Sequence, residues 1–201
     1  RLPLEIFLLA SANPEDYTNR GRIITPLKDR FGSEIRTHYP ANWEDEIAIV
    51  EQEQKVVAID GYQIYTPQFM KKIIAAISQE ARNHPEIDQR SGVSVRMSIN
   101  NYEIMLSNAW RRAIQLKETE IVPRITDLPA TFAASLGKIE WFGFEETKEE
   151  LTFRQIVREA VRKVFATYFS DSESEEILKD FEKKIIKGEF VVIIAPKEFK
   201  M

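Results

Sequence analysis

The chain has 201 residues, 43 % of them hydrophobic and 30 % charged, with a formal net charge of −4. These are values of an ordinary globular protein with enough length for one or two domains. A mildly acidic balance argues against a general nucleic-acid binder and against a polybasic membrane anchor. With no cysteine, disulfides and thiolate metal sites are excluded, and with only His38 and His84, far apart in sequence, a histidine zinc site is not expected.

The chain enters a hydrophobic stretch almost at once, after Arg1, Leu2 and Pro3. No initiator Met, signal peptide or apolar run of roughly 20 residues is visible, so a cytoplasmic protein without a membrane span is expected. The abrupt opening suggests a chain cut within a domain, with an N-terminal portion upstream.

Glu5 to Ala12 is a continuous apolar run of strand length, as in a strand buried on both faces of a parallel sheet. Asn13 and Pro14 stop it, since proline cannot join a ladder. Thr25 and Pro26 read as N-cap and first turn of a short helix that ends near Phe31 and Gly32. Glu34 to Tyr39 alternates in polarity and is bounded by Pro40, a pattern that predicts a second strand. The first forty residues therefore read as an α/β edge.

Beyond Pro40 the pattern turns helical. Asn42 caps a helix with Glu44, Asp45 and Glu46 in its first turn, where the helix dipole favours acids. Thr66 and Pro67 open another, with Met70, Ile73, Ile74 and Ile77 on one face up to His84 and Pro85. A third runs from about Ser98 with Tyr102, Met105, Leu106, Ala109 and Ala113 on one face. Thr126 and Asp127 are expected to cap a fourth, closed by Gly137. Four amphipathic helices with short connections predict a bundle.

Trp141 to Phe144 reads as a linker. Phe153, Val157, Val161, Val164 and Tyr168 form a further apolar stripe. Ser172 and Glu175 make a capping box for a last helix that Gly188 ends. Phe190 to Ala195 is strand-like. Two tempting motifs read better as structure: the acidic Asp171 to Glu176 lacks the glycine and ligand alternation of a calcium loop, and Arg111 with Arg112 suits a solvated face.

The stretch Ala10 to Gly32 carries the chemistry. A buried strand ending in Asn13-Pro14, followed by Leu27, Lys28, Asp29, Arg30 and Phe31, resembles the AAA+ ATPases. The likeness is to the branch of the magnesium chelatase ATPase subunit and the MoxR-type ATPases. The resemblance implies that Asn13 is the sensor 1 amide and Arg30 the arginine finger, with Arg20 and Arg22 as competing fingers or subunit-interface residues. Gly92, Ser94 and Arg96 are similar to the segment that carries the sensor 2 arginine in this branch, which makes Arg96 the nucleotide-binding residue. Ile121, Val122 and Pro123 resemble the approach to the last lid helix, with a departure in spacing. The likeness covers roughly residues 4 to 137.

The implied chemistry has physical sense. Hydrolysis needs an aligned water and compensation of charge on the γ-phosphate. An amide at a strand tip orients water without titrating, and a guanidinium offers a permanent planar fork of donors to phosphate. No phosphate-binding loop of the form Gly-x-x-x-x-Gly-Lys-Ser/Thr occurs in the chain.

The resemblance thus predicts three parts. Residues 1–40 form the C-terminal edge of the AAA+ α/β core, residues 41–137 a mainly helical lid, and residues 138–201 a mixed α/β extension of unknown role. ATP and Mg2+ are expected in an intact parent and not on this chain, with no resident metal. The parent is expected to self-associate into a hexameric ring and to remodel a partner with a von Willebrand A-type domain, with no nucleic acid and no membrane. The rival readings are an AAA+ sigma-factor activator and a non-catalytic helical interaction module.

Overall fold

A computed structural model describes residues 7–11, 29–56, 60–88, 92–142 and 146–170, with the isolated positions 172, 175, 176 and 179. The chain divides into two units, Arg1–His38 and Tyr39–Met201.

In the first unit, residues 7–11 carry no regular structure and residues 29 and 30 lie in a turn. Residues 33–38 also run without strand assignment, which corrects the strand expected over Glu34 to Tyr39. Alternating polarity specifies which face a strand would bury, but a strand forms only against a ladder partner. No strand is assigned here, and Ile35 stands 86 % exposed. Phe7, Leu8 and Leu9 are likewise exposed, and residues 7–11 carry no strand, which corrects the strand expected over Glu5 to Ala12 for that stretch; Glu5, Ile6 and Ala12 lie outside the described residues.

The second unit is mostly helical. Helix α1 (Trp43–Glu53) begins where the Asn42 side chain accepts the Asp45 amide at 2.8 Å. That bond satisfies one of the amides left free at a helix start, and Glu44, Asp45 and Glu46 complement the dipole there. A parallel two-residue pairing follows, β1 (Gln63–Ile64) with β2 (Glu120–Ile121), in the register Gln63 to Glu120 and Ile64 to Ile121. It ties the approach to the second helix to the exit of the third.

Helix α2 (Gln68–Asn83) is the centre of the unit. Met70, Ile73, Ile74, Ala75, Ala76, Ile77, Ser78 and Ala81 are buried along it, more than a single stripe, because helices pack on several of its sides. It stops at His84, whose extended backbone is the conformation favoured before Pro85.

Helix α3 (Val95–Leu116) starts at the Ser94 cap, earlier than periodicity predicts, and buries Met97, Ser98, Asn101, Tyr102, Met105, Leu106, Ala109 and Ala113 at helical spacing. Lys117 ends it in the left-handed conformation at φ 58°, its amide turned back to the Ala113 and Ile114 carbonyls.

The expected fourth helix is broken. Ile125–Ala130 is a 3-10 helix containing Pro129, α4 spans only Thr131–Ser135, and Leu136–Lys138 is 3-10 again. Asp127 is also not its cap: it sits in the third position and accepts the Arg124 amide.

Helix α5 (Glu146–Phe165) buries Phe153, Ile156, Ala160 and Val164 in the same apolar cluster as Met70, Ile73, Ile77 and Leu128. Ile139, just beyond the short 3-10 turn, belongs to it as well. The described part of the region after residue 137 therefore shares its core with the helices before it. Ser172, Glu175, Glu176 and Lys179 are helical, while the strand expected over Phe190 to Ala195 lies outside the described residues. Among the described residues no helix is long and apolar enough to cross a membrane.

Candidate nucleotide-sensing site

Asn13, Arg20 and Arg22 lie outside the described residues. Arg30 is exposed in the turn of the first unit, without an ion pair among the described residues. Arg96 belongs to the second unit.

Arg96 occupies the second position of α3. Its amide donates to the Ser94 hydroxyl at 3.2 Å, and its side chain is exposed, with no ion pair among the described residues. On either side the chain turns inward: Val93, Met97 and Ser98 are buried. Gly92 precedes this turn at φ 69°, the left-handed region that favours glycine. The outcome is an exposed guanidinium on a first turn whose Met97 and Ser98 are buried and whose Val95 is half-buried.

Directly beneath lies a buried ionic cluster that the sequence did not single out. Glu46 on α1, 2 % exposed, takes a two-pronged contact from Arg82 on α2, with Nη1 at 2.7 Å and Nη2 at 2.8 Å. Arg82 Nε donates to the Val93 carbonyl at 3.0 Å. The Ser98 hydroxyl donates to Glu46 and lies 2.5 Å from the Ser78 hydroxyl. The Tyr39 ring covers the Arg82 guanidinium at 4.5 Å.

Such a fork is the geometry in which arginine compensates a buried carboxylate best. Every donor direction Arg82 uses is specific, so the pair links α1, α2 and the start of α3. Glu46 was legible only as a first-turn acid. The available signal was its place on the same face as Trp43 and Val50, where an unpaired carboxylate would be costly.

A second cluster holds the other end of α3. Asp127, 1 % exposed, accepts from Arg112 at 2.7 Å, from the Asn108 amide at 2.9 Å and from the Arg124 backbone amide at 2.8 Å. Arg112 also donates to the Val122 carbonyl. Arg111 donates to Asn108, and Trp110 meets Tyr62 edge-on. The Trp110–Arg112 segment is thus engaged in packing and pairing within the unit.

An open cleft of about 280 Å³ lies along α2 and α5, lined by Glu80, His84, Gln155, Ile156, Arg158 and Glu159. Its charges are mixed, and Glu80 is bridged to Lys163 and Glu159 to Arg162. No group of three or more metal-ligating side chains occurs among the described residues. The exposed guanidinium of Arg96, like that of Arg30, is a charged donor without an ion pair among the described residues, a kind of group that suits a phosphate oxygen. Comparison with protein-family models, curated proteins and solved structures finds no match to the chain.

Proposed function

We propose that this chain is the C-terminal part of an AAA+ ATPase of the magnesium chelatase ATPase-subunit and MoxR branch. The intact cytoplasmic protein would form a hexameric ring and couple ATP hydrolysis to remodelling of a partner with a von Willebrand A-type domain. The second unit, extending to at least α5, serves as its helical lid.

The observation that carries this reading is the presentation of Arg96. Gly92 turns the chain, Ser94 caps the helix, and Arg96 is exposed between the buried Val93 and the buried Met97 and Ser98. In the proposed role Arg96 contacts the nucleotide phosphates from the lid, so that lid position follows nucleotide state. Asn13 orients the attacking water, and Arg30 reaches the nucleotide of a neighbouring subunit. ATP with Mg2+ supplies the transferable phosphoryl group and its charge compensation; the phosphate loop belongs to an upstream portion.

The test is Arg30→Ala in the full-length protein, measuring nucleotide affinity and hydrolysis separately. Hydrolysis should be abolished with affinity near normal. Loss of affinity instead would make Arg30 a structural residue.

A non-catalytic interaction module is the second reading. It is favoured by the exposed apolar side chains Leu151, Phe165 and Tyr168 on and just after α5.

A further inference from the structure

We infer that Glu46 and Arg82 are positioning residues for Arg96, an inference that rests on the nucleotide-sensing reading of that arginine. The buried pair is attached to the chain on both sides of Arg96. Arg82 Nε holds the Val93 carbonyl, three residues before Arg96. Glu46 accepts the Ser98 hydroxyl, two residues after it. The same ion pair therefore grips the backbone before Arg96 and a side chain beyond it, and neither grip uses the Arg96 guanidinium.

The surroundings fix this arrangement from two further sides. Ser78 on α2 meets Ser98, so the first turn of α3 is bonded to α1 through Glu46 and to α2 through Ser78. Tyr39, the first residue of this unit, closes over Arg82. A Cβ added at Gly92 would run into the Tyr39 hydroxyl, so the glycine lets the turn approach that ring.

Apolar packing alone excludes water but tolerates small rotations and slips of a helix end. Directional bonds to a carbonyl on one side and a hydroxyl on the other do not. Replacing a buried pair by apolar residues is often neutral for stability, so stability gives little reason for charges at this place. Orientation of an outward guanidinium against a phosphate does, because small misplacements cost rate steeply.

Two variants separate the roles. Glu46→Met with Arg82→Met removes both grips and leaves no unpaired charge. Arg82→Lys keeps a cation beside Glu46 but a single ammonium cannot reproduce the fork and also hold the Val93 carbonyl. In this chain, amide hydrogen exchange at residues 95–98 should quicken by about tenfold in both variants, with amides of α5 unchanged. Unchanged exchange at 95–98 would show that the pair pins nothing and overturn the inference.

In the full-length protein, the Met pair should lower kcat for hydrolysis by about tenfold, and adding Arg96→Ala should lower it no further than Arg96→Ala alone. Losses that multiply would mean the pair acts independently of Arg96, which also overturns it. If Arg96→Ala leaves hydrolysis intact while exchange quickens as expected, the pinning stands and the nucleotide-sensing reading fails.

Discussion

The two ends of helix α3 are both anchored by a buried arginine–carboxylate pair, yet they leave different residues facing solvent. At the C-terminal end Asp127 gathers Arg112, Asn108 and the Arg124 amide, and each arginine near it has a partner: the exposed Arg111 bonds Asn108, Arg112 bonds Asp127 and Val122, and the exposed Arg124 pairs with Glu118. At the N-terminal end Glu46 and Arg82 are closed off together, at 2 % and 9 % side-chain exposure, while Arg96 stays outside. One anchor consumes its cations; the other supports a cation that it does not use. A buried pair by itself marks neither stability nor function. What it leaves free is the more informative feature.

The largest effect should come from breaking the N-terminal anchor on one side. Glu46→Ala strands the Arg82 guanidinium in the core and should cost roughly 3–5 kcal/mol in denaturant unfolding. The Met pair at the same two positions should cost about 1 kcal/mol or less, since no charge is orphaned. Equal losses in the two variants would mean that packing, not charge compensation, sets the energy there.

Asp127→Ala sharpens the contrast at the other end. It removes the acceptor of three donors, but Arg112 is 18 % exposed and can turn toward water. A loss of about 2 kcal/mol is expected by the same unfolding measurement. A loss as large as that of Glu46→Ala would erase the distinction between a sealed anchor and one at the rim.

What the sequence revealed follows from the range of each interaction. Asn42 as a cap, the break before Pro85 and the apolar face of Met70 to Ile77 are set within a few residues, and they read correctly. Glu46 and Arg82 are 36 residues apart, so no window over the sequence joins them. The β1–β2 pairing has two residues a side, too few for alternation to appear.

The segment from Glu34 to Tyr39 fails for the opposite reason. Its alternation is clear, but a ladder needs a neighbouring strand, and no strand is assigned to this segment. Its position before a helical pattern makes Asp127 look like a cap; its burial against Arg112 is a tertiary fact. Of the residues proposed for chemistry, Arg30 and Arg96 are exposed, while Asn13, Arg20 and Arg22 lie outside the described residues.

The most direct measurement is Arg96→Ala in the full-length protein, followed by both unfolding and steady-state ATP hydrolysis. An exposed residue that supports no packing should change stability by no more than about 0.5 kcal/mol, while hydrolysis falls by about tenfold or more through loss of a charged phosphate contact. Hydrolysis at the unaltered rate, with the same stability, would contradict the account.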